Sequence, residues 1–159
     1  MLSDTTVKCW GQLPGYGSTS IPIAITGLTG VVDFSMSQEN STSLGHWCAV
    51  LSDSTVRCAG TNDYGQLGNS TTTASSWITP VTVTGLTGVS RIYTASSGYS
   101  TTYASSCALL SDKSIKCWGT NGNGRLGDGT STQRTSATEV IKTFTGTTDM
   151  MMSSANGSE

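Results

Sequence analysis

The sequence predicts an all-β protein assembled from three copies of one unit. A block of residues recurs at long period, each copy alternates apolar and polar residues, and the alternating runs are separated by residues that favour tight turns. With 159 residues, the chain is long enough for one domain with an apolar core and too short for two large ones. A single domain over residues 1–159 is therefore expected.

The recurring block begins with Leu-Ser-Asp, and each copy runs on to a basic residue, a cysteine and, two positions later, a glycine. The copies start at residues 2, 51 and 110. A second block, Gly-Leu-Thr-Gly-Val, follows at residues 27–31 and 85–89, and Phe-Thr-Gly at 144–146 is a degraded third copy. The three units cover about residues 1–50, 51–109 and 110–159.

Each unit is expected to contain a β-hairpin. Val7 and Cys9 share one face of a strand and Lys8 points to the other, and residues 56–58 and 115–117 repeat this alternation. Apolar runs at residues 48–51 and 107–110 precede the second and third strands, and the Ser and Asp residues between them favour tight turns.

Folding these hairpins about their turns brings Cys48 opposite Cys58 and Cys107 opposite Cys117. The cysteines are expected as cross-strand disulfides or as buried thiols, and a disulfide would be worth about 3 kcal/mol on the loop-entropy model. Cys9 has no such partner, so we predict it to be unpaired or paired between chains. A zinc site lacks ligands, because the chain has one histidine and no Cys-x-x-Cys spacing.

The runs CALLSDKSIKCWGTNGNGRLGDGT at residues 107–130 and PVTVTGLTGV at 80–89 resemble the regulator of chromosome condensation repeat, in the cysteine-containing form of many bacterial proteins. The most specific matches are residues 60–68 and 119–130, and the resemblance spans nearly the whole chain. It implies a β-propeller of four-stranded antiparallel blades, with about one blade per unit and three per chain.

Two departures from the repeat pattern are visible. The first unit lacks the glycine-rich loop that should follow Gly11, so an irregular first blade is expected. The second unit has Ala59 where the others have Trp10 and Trp118, which predicts different packing at that position.

Three blades do not close a ring, and an open arc would leave two apolar sheet faces in water. Two copies would supply six blades. We therefore predict a homodimer that closes a six-bladed propeller, with each N-terminal hairpin completing a blade that the other chain's C-terminus begins.

Composition excludes several partners. Charged residues make up 11% of the chain and the net charge is -2, so no basic face is expected for nucleic acid or anionic lipid. No apolar run reaches the roughly 18 residues of a membrane-spanning helix, and the N-terminus does not resemble a signal peptide. The five cysteines nevertheless favour an extracytoplasmic origin.

Residues 122–127 spell the glycine fingerprint of dinucleotide-binding proteins, Gly-x-Gly-x-x-Gly. That fingerprint must be followed by a helix, and here Asp-Gly-Thr-Ser follows. A loop of the repeat is therefore predicted, and no cofactor.

The resemblance implies a binding module, since relatives act mostly through protein contacts, including guanine-nucleotide exchange and β-lactamase inhibition. Their particular partners do not carry over, so a protein partner or a small-molecule ligand is expected. The alternative is a hydrolase of esters or phosphoesters, in which dimerisation brings His46, Glu39 and Asp33 to the channel mouth, where they hold a divalent metal or activate water.

Binding is the favoured interpretation. The family pattern commonly has a histidine just before the cysteine, which implies a structural role for His46. The two segments expected nearest the propeller axis, residues 31–37 and 89–95, offer only Asp33 and Arg91 beside small hydroxyl side chains.

Overall fold

The computed structural model describes residues 6–13, 16–38, 45–97 and 100–140. These residues form ten strands and one short 3₁₀ turn at Gly122–Gly124, and the prediction of an all-β chain is confirmed. The strands are β1 (Lys8–Leu13), β2 (Gly17–Ala24), β3 (Val31–Gln38), β4 (Gly45–Leu51), β5 (Val56–Gly60), β6 (Val81–Thr82), β7 (Val89–Ser97), β8 (Ser100–Leu110), β9 (Ile115–Gly119) and β10 (Arg134–Glu139). None of the described segments is a helix long and apolar enough to span a membrane.

The strands form three antiparallel sheets. The middle sheet has the order β3-β4-β5-β6, the C-terminal sheet has the order β7-β8-β9-β10, and the N-terminal sheet is the pair β1-β2. The predicted four-stranded antiparallel architecture is therefore present in two of the three sheets of the described residues. Each four-stranded sheet takes strands from two successive sequence units.

The hairpins follow from their turn residues. Asp53 Oδ1 accepts hydrogen bonds from Thr55 N at 3.0 Å and from Thr55 Oγ1 at 2.7 Å, and Asp112 does the same with Ser114. Ser54 and Lys113 take positive φ values of 63° and 74° to close the turns. The cysteines consequently lie directly opposite each other, in the registers Cys48 to Cys58 and Cys107 to Cys117.

The N-terminal pair β1-β2 copies the outer half of the C-terminal sheet. In β9-β10, Gly119 pairs with Arg134 and Cys117 with Thr138, and the register shifts between these pairs. In β1-β2, Gly11 pairs with Thr19 and Cys9 with Ile23, with the same shift. The two hairpins therefore place Trp10 and Trp118 at equivalent positions beside a β-bulge.

Two apolar cores lie between successive sheets. One fills the space between the middle and C-terminal sheets and includes Val50, Val56, Leu67, Ile92 and Trp118. The other lies between the N-terminal pair and the middle sheet and includes Leu13, Ile25, Trp47, Ala59 and Trp77. Every residue of β4 is buried because this strand has a core on each face.

The predicted change of packing at Ala59 is visible in the second core. Ala59 is fully buried, and the indoles of Trp47 and Trp77 occupy the space around it. Trp47 Nε1 donates a hydrogen bond to the Trp77 carbonyl at 3.1 Å. Trp47 on β4 and Trp77 in the loop before β6 thus fill the space that a tryptophan at position 59 of β5 would occupy.

Candidate functional site

The inner strands of the two four-stranded sheets lie side by side. Asp33 Oδ2 on β3 accepts a hydrogen bond from Ile92 N on β7 at 2.8 Å, and Ser35 Oγ accepts one from Thr94 N at 3.0 Å. The contacting residues are 59 positions apart, one more than the 58-residue offset between the two Gly-Leu-Thr-Gly-Val blocks that lead into β3 and β7. Each bond therefore joins a β3 residue to the position after its equivalent on β7, and equivalent strands of the two sheets meet at the inner edge.

His46 joins the two sheets from a fully buried position on β4. Its Nε2 lies 2.9 Å from Ser106 Oγ on β8, and its Nδ1 lies 2.9 Å from Ser37 Oγ on β3. The single hydroxyl hydrogen of Ser106 is donated to the Gln66 carbonyl at 2.9 Å. Ser37 Oγ likewise donates to the His46 carbonyl at 3.1 Å, so each serine has a second acceptor and the tautomer decides which ring nitrogen donates.

Burial sets the charge state of this imidazole. It lowers the pKa of His46 to about 4, and a hydrogen bond with the Ser105 backbone opposes this only in part. His46 is therefore neutral at pH 7, with both ring nitrogens occupied and no exposure to solvent. This arrangement suits a structural link between sheets better than a general base.

Of the residues named for a hydrolytic site, Asp33 and His46 are described, and they are not brought together. His46 pairs with Ser37 on β3, whereas Asp33 pairs with Val50. Asp33 lies four residues from Ser37 along β3, which corresponds to about 13 Å between their Cα atoms. The Asp33 carboxylate is already used by Ile92 N. Glu39 lies outside the described residues, and within them no three His, Cys, Asp or Glu side chains cluster as metal ligands would. The hydrolase hypothesis finds no support.

Two glycine-rich loops are folded around buried asparagine amides that the sequence analysis missed. Asn121 Nδ2 donates to Asp128 Oδ1 at 2.9 Å and to the carbonyls of Thr130 and Thr132 at 3.1 and 3.0 Å, and its Oδ1 accepts from Leu126 N at 3.0 Å. Asn62 makes the same bonds within the middle sheet's loop. The Thr-Asn pair repeated at 61–62 and 120–121 was the available signal.

Asp128 fixes the end of the second loop. Burial opposes its ionisation, but hydrogen bonds from Arg134, Thr130 and Asn121 lower the pKa of the carboxyl group far below its usual range. The Arg134 Nε to Asp128 Oδ2 distance is 2.7 Å. The run Gly122–Gly127 is thus part of a hydrogen-bonded loop, in which the 3₁₀ turn at Gly122–Gly124 is followed by further turns.

Four cysteines form two cross-strand disulfides, Cys48 with Cys58 and Cys107 with Cys117. The joined Cα atoms are 4.1 Å apart in each pair. Cys9 is free and half-buried in the N-terminal pair, and burial raises the pKa of its thiol.

Comparison with solved structures finds the same fold. The chain is similar to human WBSCR16 (19% identity, TM-score 0.63), covering 89% of this chain and 34% of that one. It is similar to yeast RCC1 (Prp20) bound to Kap60 (19% identity, TM-score 0.61, 86% and 31% covered) and to Prp20p from Saccharomyces cerevisiae (18% identity, TM-score 0.62, 86% and 32% covered). This chain therefore spans about a third of the length of these proteins.

No curated protein matches the sequence. The sequence model of the Regulator of chromosome condensation (RCC1) repeat matches residues 56–105, from the start of β5 into β8. This stretch includes the loop around Asn62 and the inner strand β7. The match at residues 56–105 agrees with the resemblance to the regulator of chromosome condensation repeat that the sequence predicts.

Proposed function

We propose that this chain is a protein-binding module that acts as a homodimer, with two copies closing a six-bladed propeller. The observation that carries the proposal is the side-by-side contact of β3 and β7 at positions 59 residues apart. A contact between the equivalent strands of two successive sheets is repeated by adding further sheets around an axis, and a second copy supplies three more sheets.

The comparisons support binding as the activity. Yeast RCC1 (Prp20) is bound to Kap60 in one of these structures, and the other concerns the binding properties of Prp20p to Gsp1p and histones. None of these partners is assigned to the present chain, because 18–19% identity establishes the fold alone.

The site chemistry favours recognition over catalysis. The inner strands present small hydroxyl side chains that bond to one another, as Ser35 Oγ and Thr94 Oγ1 do at 3.0 Å. At the junction, His46 is neutral and enclosed, and the Asp33 carboxylate accepts a hydrogen bond from Ile92 N. A polar surface around an axis is suited to orienting loops for a partner.

The test combines capture with an activity screen. Proteins retained by the immobilised chain are identified and purified, and their binding to the chain is measured by calorimetry. Saturable binding with a fixed stoichiometry supports the proposal. The same preparation is incubated with activated esters and phosphoesters beside His46→Gln. Turnover that the variant loses, with no protein ligand found, would overturn the proposal in favour of a hydrolase.

A further inference from the structure

Two equivalent tryptophans have opposite surroundings. Trp118 on β9 is fully buried, whereas Trp10 on β1 has 64% of its surface exposed. Both stand at the same position of hairpins with the same register shift. The difference therefore comes from what lies next to each hairpin.

The neighbour of Trp118 is the glycine-rich loop of the middle sheet. Trp118 Nε1 donates to the Gln66 carbonyl at 2.9 Å, and a Cβ added at Gly68 would lie 2.7 Å from that same nitrogen. The following strand β10 covers Gly65, where an added Cβ would lie 2.7 Å from Thr135 Cα. Both glycines thus leave room for the next hairpin.

The C-terminal sheet carries the same loop without a cover. Gly124, Arg125 and Gly127 correspond to Gly65, Gln66 and Gly68, and all three are exposed where their counterparts are buried. A Cβ at Gly124 would meet only Thr130 O at 3.6 Å, an ordinary contact. The described part of the chain therefore presents an uncovered tryptophan hairpin and an uncovered loop of the kind such a hairpin occupies.

We propose that Trp10 of one copy docks on the Gly124–Gly127 loop of a second copy, where its Nε1 donates to the Arg125 carbonyl. This inference rests on the proposed homodimer and names its contact. The interface continues the one between the middle and C-terminal sheets, so β2 covers Gly124 as β10 covers Gly65. Ile21 on β2, which is 71% exposed, is enclosed in the same step.

A second copy is the occupant because it carries the matching hairpin. The outer residues of β1 and β2 offer the same bulge, tryptophan and strand spacing that fill the internal interface. Two contacts of this kind, related by a two-fold axis, use both uncovered surfaces of both copies.

Sedimentation equilibrium of variants tests the contact. Trp10→Ala removes the buried aromatic from both contacts of the dimer, which should dissociate about 1,000-fold more readily, since each contact loses about 2 kcal/mol. Gly124→Asn should weaken the dimer similarly, since asparagine tolerates the positive φ of 68° but adds a side chain beneath the incoming β2. The matched control is Gly122→Asn, because Gly122 has open space around it and its counterpart Asp63 is exposed.

Tryptophan quenching gives a second readout within the unaltered chain. Trp47, Trp77 and Trp118 are at most 7% exposed, so iodide should reach only Trp10 in the monomer. The quenched fraction should fall as the protein concentration is raised through the dimer dissociation constant. Circular dichroism and melting curves of each variant check that the fold is retained.

The failures of the two proposals are distinguishable. A wild-type chain that stays monomeric at every concentration overturns both the homodimer and the docking contact. A dimer that Trp10→Ala and Gly124→Asn weaken no more than Gly122→Asn does, or in which Trp10 remains quenchable, overturns the docking contact alone and assigns dimerisation to another surface. Capture of a different protein by the Trp10 hairpin, lost in Trp10→Ala, likewise overturns the proposed occupant.

Discussion

The imidazole of His46 bonds to serines on two neighbouring strands, Ser37 on its own sheet and Ser106 on the next. Cys48, two residues along β4 from His46, is held in a disulfide and offers the imidazole no free thiol to activate. A neutral histidine can donate one hydrogen bond and accept another, so it is suited to connecting two hydroxyl groups across a buried interface.

Stability should depend on this histidine between pH 4 and 7. The folded pKa is about 4, below the unfolded value of about 6.5. In this window the unfolded chain binds a proton that the folded chain does not, so stability falls as the pH is lowered, by up to about 3 kcal/mol. Denaturant unfolding of wild type and His46→Gln at pH 7 and pH 4.5, at one protein concentration, should show the loss only in wild type. An equal loss in the variant would rule out His46 as its source.

The asparagine at the centre of each loop should contribute to stability. Asn121→Ala leaves Leu126 N and the carbonyls of Thr130 and Thr132 without their partner, at a cost of about 2–4 kcal/mol. Asn123→Gly is the matched control, since Asn123 is exposed with a φ of 60° that glycine adopts freely. Melting temperatures of the two variants measure the difference. Equal values would show that the amide network contributes little.

At the level of the strand, both disulfides join the central hairpin of a sheet. Each closes a loop between cysteines ten residues apart, and removing one should cost about 2–3 kcal/mol. The double variant Cys107→Ala/Cys117→Ala should therefore unfold at lower denaturant than wild type. Cys9→Ala, which removes a free thiol, should change the midpoint much less. A midpoint that does not move in the double variant would contradict a stabilising disulfide.

Local patterns explain how much of these elements the sequence predicts. The hairpins, their Asp turns and the opposed cysteines depend on residues close together in the chain, and all are observed as expected. The complete burial of β4 and the Asp33 bond to Ile92 depend on a neighbouring sheet, so alternation within one strand did not reveal them. The role of Asn62 and Asn121 escaped notice because a loop asparagine in isolation resembles a solvated turn residue.

At the scale of the whole molecule, the contact between two successive sheets indicates how a second copy would bind. Where the middle and C-terminal sheets meet, Trp118 of the C-terminal sheet packs against the glycine-rich loop of the middle sheet. An exposed tryptophan, Trp10, lies in the N-terminal sheet, and an exposed glycine-rich loop, Gly124–Gly127, lies in the C-terminal sheet. Closure by a second copy would cover both at once and would leave the inner strands around a common axis.

The mass of the chain in solution tests this closure most directly. Sedimentation equilibrium over a wide concentration range should give twice the 16.4 kDa mass of one chain, with reversible dissociation on dilution. A particle that keeps the mass of a single chain at every concentration would contradict the closed ring.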